Sequence, residues 1–148
     1  HMAHFAELIE KTDPTGFTSD KHLVVERVIV VDNAHVPSDE HVDGETWCQN
    51  FFKGGVWKQT SYNHNFRKHY AGIGNVYDAA KNKFLGQQPF ASWSLDANDD
   101  WEAPVTYPTD TVGYETKWDE ANTKWTAIKR SDKSNWNWDA SSLTWVSA

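Results

Sequence analysis

The residues best suited to do chemistry gather in one stretch, 63–74. Arg67, Lys68, His64 and His69 stand there among Phe66 and Tyr70, and Gly72 and Gly74 close the segment. Charged donors of this kind hold anionic groups such as a phosphate or an acidic sugar, and glycine lets a backbone come close to a ligand. Arg67, Lys68 and Tyr70 are therefore candidate ligand-binding residues. A structural role competes with this reading: Arg67 pairs with one of the many acids while Phe66 and Tyr70 anchor an ordered connection.

Other chemistry finds less support. His64 and His69 are five residues apart, a spacing that suits neither a strand face nor a helix turn, and they are the chain's weak candidates for a metal pair. His4, His22, His35 and His41 are dispersed, with His35 and His41 beside Asp39, Glu40 and Asp43. No HExxH motif or facial-triad spacing occurs. Cys48, the single cysteine, falls on the apolar side of an expected helix and reads as a packing residue. No GxSxG elbow is present. Gly72-Ile73-Gly74 lacks the third glycine of a dinucleotide loop. The acidic pairs Asp39-Glu40, Asp99-Asp100 and Asp119-Glu120 lie in loops that face water. Asp96, Asn98, Asp99 and Asp100 lack the EF-hand pattern. No catalytic residue is assigned and no cofactor is implied, so the reading leans away from an enzyme.

Tryptophan gives the second candidate set. Seven of the nine Trp follow residue 92. Trp136 and Trp138 share one face of a strand by the period of two, and Trp145 falls opposite them across a turn. Such rings build a domain core, a platform for sugar stacking, or a dry surface that another protein covers. Trp136, Trp138 and Trp145 join the ligand-binding candidates.

These side chains must be positioned by a repeat. An aromatic or apolar residue followed by Asp, a polar stretch and a closing aromatic recurs as Tyr77-Asp78 to Phe84, Leu95-Asp96 to Trp101, Trp118-Asp119 to Trp125 and Trp138-Asp139 to Trp145. The closing aromatic comes seven residues after the opening one in three copies and six in the second. Asp at the strand end caps amides two residues on, and the closing aromatic meets its partner across the pair. The copies start 18, 23 and 20 residues apart, too irregular for a solenoid. Each is expected to be a separate hairpin, and a lone hairpin is only marginally stable, so each needs a neighbour.

Upstream, residues 4–10 and the β-branched run Leu23 to Val31 predict a strand pair joined through Thr12-Asp13-Pro14-Thr15-Gly16. Residues 33–44 predict a surface loop. Asp43 is expected to cap a short helix to about Phe52, with Trp47, Cys48, Phe51 and Phe52 on one face and Gly54-Gly55 as its stop. Residues 56–62 predict a strand and 63–74 a long loop. The fold class is α+β and β-rich: a small antiparallel sheet with one short helix, followed by serial β-hairpins. Residues 1–88 form the sheet-plus-helix part with the first hairpin and residues 89–148 a Trp-rich hairpin extension, the two expected to make up a single compact domain.

Charge narrows the partners. The formal net charge is −7, which argues against general nucleic-acid binding. Residues 53–83 are the exception, with six basic residues and one acidic residue. No segment approaches the roughly 20 apolar residues that span a bilayer, so no membrane partner is expected. The N-terminus carries no secretory pattern.

Several segments are similar to short uncharacterised proteins of marine phages that infect cyanobacteria and related bacteria. Met2 to Leu8, Val28 to Asn33, Gln59 to Asn63, Phe66-Arg67-Lys68, Tyr70 to Gly74, Pro89 to Trp93, Trp101 to Val105 and Trp118-Asp119-Glu120 carry the resemblance. The hairpin from Trp136 to Trp145 departs from it. The resemblance implies a virion-associated or host-interaction role, located in the virion or the host cytoplasm, and supplies no catalytic residues. The leading expectation is a phage accessory protein that works by protein–protein contacts, including self-association. The alternatives are a carbohydrate-binding module for host surface glycan and a small metal-dependent enzyme with a histidine site.

Overall fold

The computed structural model describes residues 2–36 and 41–148. His1, Pro37, Asp39 and Glu40 lie outside the described residues, as does the side chain of His41. The chain is α+β and β-rich, with one short helix and several antiparallel sheets. It divides into two compact units, residues 1–87 and 88–148.

In the first unit, β1 (Met2–Thr12) and β2 (Lys21–Asp32) form the expected hairpin. Its turn is organised by Asp13, whose carboxylate accepts from the backbone and hydroxyl of both Thr15 and Thr18. Those bonds hold the carboxyl at a pKa of about 2. β3 (Val56–Thr60) pairs with β1, while β4 (Val76–Asp78) and β5 (Lys83–Leu85) extend the far side. The five-stranded order is β3-β1-β2-β4-β5, so the β-branched run of β2 lies at the centre.

This sheet is buried on both faces, which explains why β1 does not simply alternate. Phe5 belongs to one cluster with Ala3, Val31, Cys48 and Trp57. Leu8, three residues on, belongs to another with Ala6, Val25, Ala71, Tyr77 and Phe84. The helix α1 (His41–Phe51) supplies Cys48 to the first cluster.

Two expectations about this region need correction. The stretch 33–44 is not one loop, because residues 33–35 form a 3-10 turn capped by Asp32 and the helix already begins at His41. Asp43 therefore sits in the first turn rather than at the cap, where it still complements the helix dipole. Gly44 is a buried helix residue. A Cβ there would stand 2.0 Å from Cζ of Phe5, so only glycine permits this approach of helix to sheet.

In the second unit, β6 (Ser94–Leu95) and β7 (Trp101–Glu102) make an isolated pair. β8 (Tyr114–Asp119), β9 (Lys124–Lys129), β10 (Asn135–Asp139) and β11 (Thr144–Ser147) make a four-stranded antiparallel meander. The last two repeat hairpins thus find their neighbour in each other, and the first, which belongs to residues 1–87, finds it in that unit's own β2.

All four repeat copies close as the pattern requires. The cross-strand pairs are Tyr77 with Phe84, Leu95 with Trp101, Trp118 with Trp125, and Trp138 with Trp145. Each opening Asp accepts a backbone N–H from its own turn. Two residues before each closing aromatic the chain turns left-handed, at Asn82, Asp99, Thr123 and Leu143. One backbone recipe recurs while the side chain at that position varies. Among the described residues no helix is long and apolar enough to cross a membrane.

Candidate functional site

Residues 61–75 have no strand of their own, yet they are pinned at many points. Ser61 Oγ accepts from Asn65 N–H at 2.9 Å, and Thr60 Oγ1 accepts from Ala71 N–H at 2.8 Å. Gly74 N–H donates to Val25 O, and Val25 N–H donates to Asn75 O. Phe84 N–H donates to Arg67 O at 3.1 Å, and Lys68 forms a bridge with Phe84. Arg67 and Lys68 are both left-handed, with φ of 52° and 70°. Two consecutive non-glycine residues in that region are costly and persist only where the surroundings hold them.

Arg67 is what holds them. Its side chain is 8% exposed. Nη1 donates to Glu45 Oε2 at 2.8 Å and to Gln59 O at 3.0 Å, and Nε donates to Asn82 Oδ1 at 2.8 Å. The guanidinium also lies over the Tyr77 ring at 5.8 Å. Glu45 accepts from Gln59 N–H and pairs with Lys58 at 3.7 Å. Tyr77 O–H donates to Asn82 as well. Burial pushes the Tyr77 hydroxyl pKa up, and the neighbouring Arg67 opposes that rise. Arg67 therefore ties the helix, β3, the loop and the β4–β5 turn together. Its donors are turned inward, to this network.

The other loop candidates sit nearby in sequence but do different things. Tyr70 joins His4 and Tyr62 in a trio of rings with centroids 5.4 to 5.5 Å apart. Burial raises its pKa, with a further push from Tyr62. Tyr70 N–H donates to His64 Nδ1, and His69 Nδ1 lies 3.1 Å from Tyr70 O. Each imidazole thus has one ring nitrogen against the backbone of Tyr70. Among the described residues no group of three His, Cys, Asp or Glu is placed to hold a metal ion. Cys48 is fully buried, and burial raises its thiol pKa to about 11.

The structure brings Trp136, Trp138 and Trp145 together on one face of the second unit's sheet. The register puts Trp118, Trp125, Trp136, Trp138 and Trp145 all on that face. Trp118, Trp125 and Trp138 are buried, packed with Phe90, Trp93, Ala103 and Val105 from the segment that crosses over them. Trp136 and Trp145 are half-buried at the margin. The indoles staple the crossing segment down. Trp125 Nε1 donates to Val105 O at 2.8 Å and Trp145 Nε1 to Asp110 O at 2.6 Å. Trp118 Nε1 donates to Glu120, which also accepts from Ser92. Trp136 Nε1 donates to Ser134 Oγ at 2.7 Å, and Lys129 lies over its ring. Trp138 is 7% exposed and works as core.

A second aromatic array was not singled out by the sequence pattern beyond its helical spacing. His35 stacks on Trp47 at 4.6 Å, Trp47 on Phe51 at 4.8 Å, Phe51 meets Phe52 edge-on at 4.9 Å, and Phe52 stacks on Trp57 at 4.7 Å. Arg27 lies over both Phe52 and Trp57 and pairs with Glu7 at 3.1 Å. Trp57 is buried, but Phe51 is 64% exposed and Val56 44%. The array runs from the core to the surface at the end of α1. It also contains the residue types that carry binding energy at protein interfaces. Set beside family models, curated proteins and solved structures, the chain matches none, so its functional reading rests on this geometry.

Proposed function

We propose that the chain acts by protein–protein contact, without catalysis, as a phage accessory or virion-associated protein, and that the aromatic array at the end of α1 is its docking face. The observation that carries this is the exposure of Phe51, the middle ring of five in continuous contact. A large apolar side chain held in place by stacked neighbours has already lost its rotamer freedom, so binding it costs little further entropy. The Trp-lined hairpin faces do not serve this role, because their indoles are occupied within the second unit. The phage context comes from the sequence resemblance alone.

A second copy of the chain is the partner that can be tested directly. Light scattering over a rising concentration series is expected to show the mass climbing for the native protein. Phe51→Asp, at an exposed site, is expected to hold the protein monomeric with its fold intact by circular dichroism. A clean monomer for the native chain at every concentration would remove self-association.

A further inference from the structure

We infer that the second unit carries a two-subsite groove for a chain of sugar rings, centred on Tyr107. The inference is independent of the docking face on the first unit. Two adjoining hollows share the stretch Pro104 to Tyr107 as a common wall. The first, of about 450 Å³, is lined by Trp93, Trp101, Glu102 and Trp125. The second, of about 410 Å³, is lined by Trp138 and Leu143. Each volume falls within the range of about 300–1,000 Å³ seen for small-ligand pockets. Tyr107 stands between them, 54% exposed, with its ring edge-on to Trp125 at 4.9 Å.

The polar groups define the ligand class. Trp93 has an indole N–H that is buried with no partner among the described residues. The N–H is closed off from solvent, so Trp93 offers the hollow its ring and not a donor. Glu102 lines the same hollow, and its carboxylate makes no hydrogen bond or ion pair to the described residues. A site with aromatic walls and one unpaired acceptor fits a ring with an apolar C–H face and a hydroxyl rim. A pyranose is such a ring. The indoles of Trp125, Trp145, Trp118 and Trp136 are already bonded within the protein. With the indoles of Trp136 and Trp145 occupied, the site falls at the groove that Trp93 lines and not on their margin.

Indole N–H resonances of the full chain would be followed by nuclear magnetic resonance. The probes are glucose, N-acetylglucosamine and their β1,4-linked dimers and trimers, at up to about 50 mM to reach weak binding. The expected result is a saturable shift of the Trp93 signal, with Trp136 and Trp145 unmoved, and affinity at least several-fold tighter for the dimer than for the single sugar. Tyr107→Ala should weaken dimer binding about tenfold or more, which is about 1.4 kcal/mol, and Glu102→Gln should weaken it less. Val112→Ser, at a 91% exposed site outside the groove, serves as the control. No saturable shift with any probe would overturn the inference, as would shifts at Trp136 and Trp145 instead of Trp93. Equal binding by folded Tyr107→Ala, or equal affinity for one ring and two, would overturn it as well.

Discussion

The two units bury their aromatic residues by opposite strategies. In residues 1–87 the sheet is covered on both faces, and an internal ion pair between Arg67 and Glu45 fixes the covering elements. In residues 88–148 the sheet is covered on one face, and the fixing is done by indole N–H groups that reach the crossing backbone. A charge network is directional and holds a strained loop in one conformation. A Trp layer supplies large buried area from few residues, with a polar tip on each ring for orientation. The repeat appears in both units, so hairpin chemistry does not decide which strategy is used. The neighbours of the hairpin do.

Removing one member of each device tests this contrast most severely. Trp125→Ala deletes a buried ring that touches Trp93, Tyr107 and Trp118. A loss of about 3–5 kcal/mol is expected for such a truncation. Amide exchange should report it in strands β8 to β11 and leave β1 and β2 protected. Equal loss of protection in both units would mean that they unfold as one. Glu45→Ala is the counterpart in the first unit. It leaves the Arg67 guanidinium buried without its carboxylate, at a cost of about 3–5 kcal/mol. Chemical denaturation should show that loss, with amides of 61–75 exchanging first.

Gly44→Ala is expected to cost less, about 1–3 kcal/mol, because a methyl group overlaps the Phe5 ring and the helix must lift off the sheet. The same change combined with Phe5→Leu should recover part of it. If the single variant melts at the native temperature, the close approach is not fixed by Gly44.

Much of this architecture was legible in the residues. The β-branched run of β2 and the turn chemistry after Thr12 predicted the first hairpin because propensity and turn type agree there. The repeat predicted all four closing cross-strand pairs, three of them aromatic with aromatic, since an Asp-capped turn sets the register. The start of α1 was not legible, because Gly44 reads as a loop residue and its packing against Phe5 is a tertiary fact. Among the site residues, Arg67 was recognised as charged and central, but its burial depends on Glu45, 22 positions away. Tyr107 and Trp93 carried no periodic signal. They lie in irregular segments, and only the folded chain brings them beside Trp125.

The recurring left-handed turn position offers a gain in stability. Asn82 and Asp99 suit that conformation, whereas Thr123, at φ of 49°, is β-branched and strained by it. Thr123→Asn copies the first hairpin into the third and should stabilise the second unit by about 1 kcal/mol. Thermal melting should move upward, with exchange in residues 1–87 unchanged. A melting point that falls would show that Thr123 makes a contact worth more than its strain.

Acid should separate the units by the smallest margin, because the carboxylates concerned are exposed. Asp119, Glu120, Asp132 and Asp139 in the second unit all have pKa values lowered by hydrogen bonds to neighbouring side chains, and Asp13 is the counterpart in the first. A lowered carboxyl pKa stabilises the fold above the ordinary value and stops doing so as pH falls through the folded one. For Asp13 that window runs from 3.8 down to about 2. With four such groups against one, the second unit should lose protection at a higher pH than the first in an exchange series through this window. Asp139→Asn should narrow the gap by taking one titrating group out of the larger set. If both units open at the same pH in the native chain, the turn carboxylates are not what distinguishes their acid stability.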